Sequence, residues 1–148
     1  NPNAHSCVLR IQGQGGAVAL LPGDLEAAQE LRLVREAAPS LRADLLLVPH
    51  HGSRTSSTEA WLAAVQPKWA LVQAGYRNRY GHPAAAVLAR YAAQGIEVIA
   101  TPSCGAARWV SSQPDRVECQ RWDAPRYWWH LPVATDGASP GPDLRRGR

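Results

Sequence analysis

The chain has 148 residues, enough for one domain with a real core and too few for two comfortable ones. Its apolar runs fall far short of a bilayer span and no leading signal segment is visible. The abrupt opening NPNAHSCVLR reads as a piece of a longer protein. Fifteen of the sixteen basic residues are arginine and the net formal charge is +4, which suits an anionic partner, although part of the excess sits in the terminal LRRGR. Cys7, Cys104 and Cys119 contain no CxxC spacing, which argues against a zinc ribbon, and three cysteines do not make a disulfide framework. Cys104 and Cys119 remain able to pair if the chain faces an oxidising compartment.

In chain order, SCVLRIQ and GAVALLP read as two strands joined by the Gly-rich turn GQGG. LEAAQELRLVREAA repeats apolar residues at helical spacing and is expected to stop before Pro39. ADLLLVP is a short continuous apolar run, the pattern of a buried strand. STEAWLAAVQP starts on Ser/Thr with Glu close behind and stops at proline, so it reads as a short helix. KWALVQAG is a strand, PAAAVLARYAAQG a helix opened by proline and closed by glycine, and IEVIAT a strand. GAARWVSS and RVECQRW read as a closing hairpin. The order β-β-α-β-α-β-α-β-β-β implies an α/β fold with helices packed on a sheet. The domain is expected over 1–132. From about Val133 the composition becomes small, polar and Pro/Gly-rich, and 133–148 reads as a flexible tail. There is no internal repeat.

In open α/β sheets functional groups gather in loops beyond the carboxyl ends of strands. Three such loops carry the polar residues a site needs. LLPGDL holds Asp24. VPHHGSRTSS holds His50, His51, Ser53 and Arg54. GYRNRYGHP holds Arg77, Asn78, Arg79, Tyr80 and His82. Each has a bland reading: Asp24 as a helix N-cap, the histidines as solvated loop residues, the hydroxyls as loop chemistry. Together, a carboxylate and imidazoles at strand ends are the donor chemistry of zinc, manganese or iron. Arginines beside them match phosphate geometry in a bidentate way. Asp24 with one or two histidines is nevertheless half of a two-metal site.

The ordered string NAHSCVLR, LLPGD, ADLLLVPHHGSRTSS, NRYGHP and TPSCGA resembles the metallo-β-lactamase-like domain of ComEC-type DNA-uptake (competence) proteins, over about the first hundred residues. The resemblance implies half of an αββα sandwich, a mixed sheet with helices packed on it, of which this is the second half. It implies a divalent metal pair (Mn or Zn), part of whose ligands belong to an HxDxDH motif absent from this sequence. Asp24 then stands at the bridging carboxylate. The metal ligands carried over are Asp24, His50 and His51, with His50 preferred, and the catalytic residues are Asp24 and His50. Arg54, Arg77, Asn78, Arg79, His82 and Ser53 are the expected substrate-binding groups. Asn3 and Ser6 match the family's Asn-x-x-Ser. His5, one residue away, would point to the opposite face of an extended strand, which argues against its acting as a ligand.

The implied function is hydrolysis of the DNA backbone during uptake, with single-stranded DNA as partner and this chain alone inactive. The implied setting is an extracytoplasmic domain of a polytopic inner-membrane channel, completed by an upstream half. Two competing readings stand beside it. One is a non-catalytic module that binds DNA or steadies the channel. The other is a relative acting on a small ester or lactone, against which the arginines weigh. A half-domain would expose apolar surface, so a homodimer is also expected. The aromatic cluster Trp122 to Trp129, running into RYWWHLP, would pack on the core, with His130 structural.

Overall fold

The computed structural model describes residues 2–126. The expected tail 133–148, His130 and the run Tyr127–Trp129 lie outside them. Strands β1 (Leu9–Gln12), β2 (Val18–Leu21), β3 (Leu45–Leu47), β4 (Trp69–Val72) and β5 (Glu97–Ala100) form one sheet in that spatial order. β1 runs antiparallel to β2, and the remaining pairs are parallel, so the sheet is mixed. The glycine turn closes the first hairpin, with Gly13 N donating to Ala17 O at 2.9 Å.

Each parallel step is made by a helix: α1 (Ala27–Leu41), α2 (Glu59–Val65) and α3 (Ala85–Ala93). Because the strand order follows the chain, right-handed crossovers place all three helices on one face. There Leu20, Leu46, Ala70 and Val72 meet Leu25, Trp61, Leu62, Val65, Val87 and Tyr91 in the main core. Thr58 caps α2 by accepting from Trp61 N at 3.3 Å. The span of α1 includes Pro39, but its regular part stops before that residue, as expected. The regular helix breaks earlier, at Ala37 (φ −144°, ψ 21°), and Pro39 enters a fresh final turn where its missing N–H costs nothing.

The opposite face is covered differently. A hairpin of β6 (Ala107–Trp109) and β7 (Val117–Cys119) packs with Trp122 against Trp69, Leu71 and Ile99. Trp122 therefore packs on the core as expected. Two one-turn helices, α4 (Thr101–Cys104) and α5 (Gln120–Asp123), flank the hairpin, and Cys104 is bonded to Cys119 between them. Among the described residues β1 is left open on this side, with Leu9 54% and Ile11 48% exposed. Their register with Leu21 and Ala19 puts them on this hairpin face.

The Cys104–Cys119 bond closes a segment of sequence separation 15. A cross-link of that length should stabilise the fold by about 3 kcal/mol, chiefly by restricting the unfolded chain. Urea unfolding with and without dithiothreitol, beside a Cys104→Ala/Cys119→Ala variant, checks this. Reductant should lower the wild-type stability by that amount and leave the variant unchanged.

Candidate functional site

Since β2, β3 and β4 are parallel, the loops that follow Leu21, Leu47 and Val72 open at one sheet edge. Backbone hydrogen bonds lace them together. His50 N donates to Gly23 O at 3.0 Å, Ala27 N to Thr55 O at 2.7 Å and Ala84 N to Gly52 O at 2.9 Å. Asp24 N donates to Ser6 Oγ at 3.2 Å and Asn3 Nδ2 to Glu26 Oε1 at 3.1 Å, so the amino-terminal segment fastens the Gly-Asp loop. Residues Pro2–His5 form a 3₁₀ turn, not the extended strand assumed for His5, and His5 is exposed.

The PHHG segment reverses direction through three successive left-handed residues: His50 (φ 50°), His51 (φ 54°) and Gly52 (φ 82°). For the two histidines this conformation costs on the order of 1–3 kcal/mol each. At Gly52 no side chain fits, because a Cβ would stand 2.6 Å from Pro83 Cβ. The close approach of Gly52 to Pro83 brings the β3 and β4 loops into contact.

The two imidazoles then diverge. His51 shares a hydrogen bond between Nδ1 and Gln73 O at 2.8 Å. A carbonyl can only accept, so Nδ1 carries a proton, and in the neutral ring Nε2 is the acceptor, 3.8 Å from Asp24 Oδ1. His50 is more buried, and its Nδ1 lies 3.6 Å from Glu26 Oε1 without a hydrogen bond. His82 sits edge-on to His50 with ring centroids 6.3 Å apart, and its buried Nδ1 also lacks a hydrogen-bond partner. Burial, followed by the neighbouring His50 and His51, pushes the His82 pKa down and keeps the ring neutral.

The remaining expected residues divide. Asn78 turns inward: Nδ2 donates to His82 O at 2.6 Å and Gly75 O at 3.1 Å, while Oδ1 accepts from His82 N at 3.0 Å. Its amide is thus occupied in shaping the YRNRYGH loop. Ser53 is buried, with Oγ 3.2 Å from Thr55 Oγ1. Arg54, Arg77 and Arg79 are exposed.

Two features escaped the sequence reading. One is Glu26, which adds a carboxylate beside His50. The other is a buried network beneath the histidine loop. Glu30, fully buried on α1, accepts from Ser57 N at 2.6 Å and Thr58 N at 2.8 Å. Ser57 Oγ lies 3.1 Å from Tyr91 Oη, and Arg90 Nη1 donates to Ser56 O at 2.8 Å and Ser57 O at 2.6 Å. A signal for Glu30 existed, since it falls one turn before Leu33 and Val34 on the apolar face of its helix.

The donors at this edge suit a divalent transition metal in kind: carboxylate oxygen, and imidazole nitrogen fixed by donation from the other ring nitrogen to a carbonyl. Among the described residues no three His, Cys, Asp or Glu are grouped so as to hold an ion.

Two substitutions probe the scaffold. Gly52→Ala meets both the left-handed φ and the Pro83 contact, and should cost about 2 kcal/mol or more in urea unfolding. Glu30→Gln replaces an acceptor-only group with one bearing an NH₂, so one backbone donor loses its partner, at about 1–3 kcal/mol. Burial pushes the Glu30 carboxyl up from its ordinary 4.5, against the pull of its backbone donors and Arg90. The folded state then holds the proton more tightly than the unfolded one, and wild-type stability falls as pH rises through the window above 4.5. The gap between wild type and Glu30→Gln should therefore narrow with rising pH; a widening gap would contradict the dominance of burial.

No protein-family profile matches the chain. It is 39% identical over 127 residues to Competence protein ComA of Neisseria gonorrhoeae, covering 86% of this chain and 18% of the relative. It is 40% identical over 103 residues to ComE operon protein 3 of Bacillus subtilis, 70% of this chain and 13% of the relative. Recombination protein 2 of Haemophilus influenzae matches at 35% over 119 residues, 80% of this chain and 14% of the relative. These similarities support a competence protein family for the chain, through a segment that makes up less than a fifth of each relative.

Proposed function

We propose that the chain is the second half of a metallo-β-lactamase-like domain in a DNA-uptake protein, and that the completed domain hydrolyses the DNA backbone. The observation that carries this reading is the pairing of Asp24 with His51 and of Glu26 with His50 at one sheet edge, 3.8 Å and 3.6 Å apart. A divalent pair, manganese or zinc, supplies water activation and stabilisation of the leaving oxygen when bound. The chain's own residues prepare that site. Donation from His51 Nδ1 to Gln73 O holds Nε2 as an acceptor facing Asp24, which favours His51 over the expected His50 as the better oriented donor. His50 and Glu26 form the adjoining pair. His82, neutral beside them, is placed to contact substrate, with Arg54, Arg77 and Arg79 around it as phosphate contacts.

The setting is part of the proposal. An upstream half of the domain would cover the Leu9 and Ile11 face and supply the missing ligands; without it a second copy of the chain would meet that face. The Cys104–Cys119 bond favours an oxidising, extracytoplasmic position for a domain of an inner-membrane protein. Within the described residues themselves, no helix is long and apolar enough to cross a membrane.

A second reading is favoured by the exposure of Arg54, Arg77 and Arg79: a non-catalytic module that holds DNA through its arginines. Manganese-dependent cleavage of single-stranded DNA by the full-length protein separates the two. Asp24→Ala should lower cleavage more than about a hundredfold, beyond what loss of an outer partner of a metal ligand costs. The isolated chain should not cleave. Binding without cleavage by the full-length wild type would establish the second reading instead.

A further inference from the structure

The loop between β4 and α3 carries a pattern that phosphate contacts alone do not explain. Tyr76 and Tyr80 are 49% and 66% exposed, among the most exposed large hydrophobic side chains of the described residues. Each has an arginine against it. Arg77 Cζ lies 5.2 Å from the Tyr76 ring centroid and Arg79 Cζ 4.9 Å from that of Tyr80. Arg79 Nη2 also donates to Tyr80 Oη at 2.7 Å. The loop is held in shape by the three Asn78 side-chain bonds to Gly75 and His82, so the rings are presented without much ordering left to do. Tyr80 stacks on His82 (5.9 Å, 19°), and His82 in turn meets His50. The aromatic row thus ends at the candidate site. Between Ala60 and Ile96 the sequence has no Asp or Glu and four basic residues, so no carboxylate of this stretch opposes an approaching polyanion.

We propose that Tyr76 and Tyr80 are stacking platforms for bases of single-stranded DNA, flanked by Arg77 and Arg79 on the adjoining phosphates, and that they lead a strand toward His82. The proposal rests on the DNA-processing reading above and adds to it the residues that select single strands. A base sliding over Tyr80 takes the place of the Arg79 guanidinium on the ring and releases it toward the phosphate. Only an unpaired base offers a free π-face, so stacking discriminates single strands from duplex, whereas arginine contacts alone would serve both.

The test uses the full-length protein without added divalent metal, so that binding is read apart from cleavage. A local readout is photocrosslinking to oligothymidine carrying 5-iodouracil, with the labelled peptide mapped; the peptide containing Tyr76 and Tyr80 should dominate. Tyr76→Leu/Tyr80→Leu should weaken oligothymidine binding about tenfold or more and leave duplex affinity within about twofold. Arg77→Ala/Arg79→Ala should weaken both and lower the salt slope for single strands by about 1.4. Three outcomes overturn the proposal: crosslinks mapping only elsewhere, equal losses on single strand and duplex, or tighter binding of oligouridine than of oligothymidine. If wild type neither binds nor cleaves DNA, the DNA-processing reading fails; if it does and the tyrosine variant is unaffected, the stacking role alone fails.

Discussion

The candidate site depends on one buried carboxylate. Glu30 reaches from α1 to receive the N–H groups of Ser57 and Thr58, which the left-handed backbone at Ser57 (φ 57°) turns toward one acceptor. That single group joins α1 to the start of α2. Ser57 extends the connection to Tyr91, whose hydroxyl pKa burial pushes up, and Arg90 ties α3 to the carbonyls of Ser56 and Ser57. Three helices on one face of the sheet are thereby fastened to the end of the loop that carries the histidines. A buried charge of this kind is costly unless its hydrogen-bonding capacity is filled, and here the donors are backbone groups that would otherwise be orphaned at a helix start.

Such anchorage is what allows the unfavourable backbone at His50 and His51. Two non-glycine residues in the left-handed region do not hold that conformation by themselves. The Gly23, Gln73 and Gly52–Ala84 hydrogen bonds fix the loop from both sides, and Glu30 fixes its far end. The result is that adjacent side chains reach different partners: His51 toward Asp24, His50 toward Glu26. In an extended strand neighbouring residues also diverge, but to opposite faces of the sheet. The turn keeps both imidazoles at its edge.

Much of this was legible in the sequence because the local signals agree. Apolar runs, caps and Pro/Gly punctuation specify the strands and helices in order, and parallel crossovers then oblige three polar loops to share an edge. Legibility failed where tertiary partners decide. Pro39 marks a stop and the regular helix does end before it, but the fresh turn that the chain starts after Ala37 shows only in the fold. His5 sits in a 3₁₀ turn because Asn3 and Ser6 engage Glu26 and the Asp24 amide, partners twenty-three and eighteen positions away. Asn78 is a polar loop residue by type, and its four-residue closure onto His82 shows only in the fold. Glu26 and Glu30 are ordinary helix-start glutamates until the loops they meet are in place.

The charges around the edge are unevenly placed. Asp24 and Glu26 stand at the amino-terminal end of α1, where the helix dipole favours negative groups. The arginines lie on the β3 and β4 loops. A polyanion approaching from the α1 side meets two carboxylates; one approaching over the β4 loop meets Arg77 and Arg79 and no opposing acid of that loop. Direction of approach is thus biased before any contact with the histidines is made, and the bias weakens with salt because these side chains are exposed. The carboxylates, repulsive to phosphate by themselves, become compatible with it only when cations stand between. In the proposed reading, the arginines bring the strand to the edge and a divalent pair reconciles it with Asp24 and Glu26. On the same reading, the arginines alone would hold the strand and the pair would be needed to cleave it.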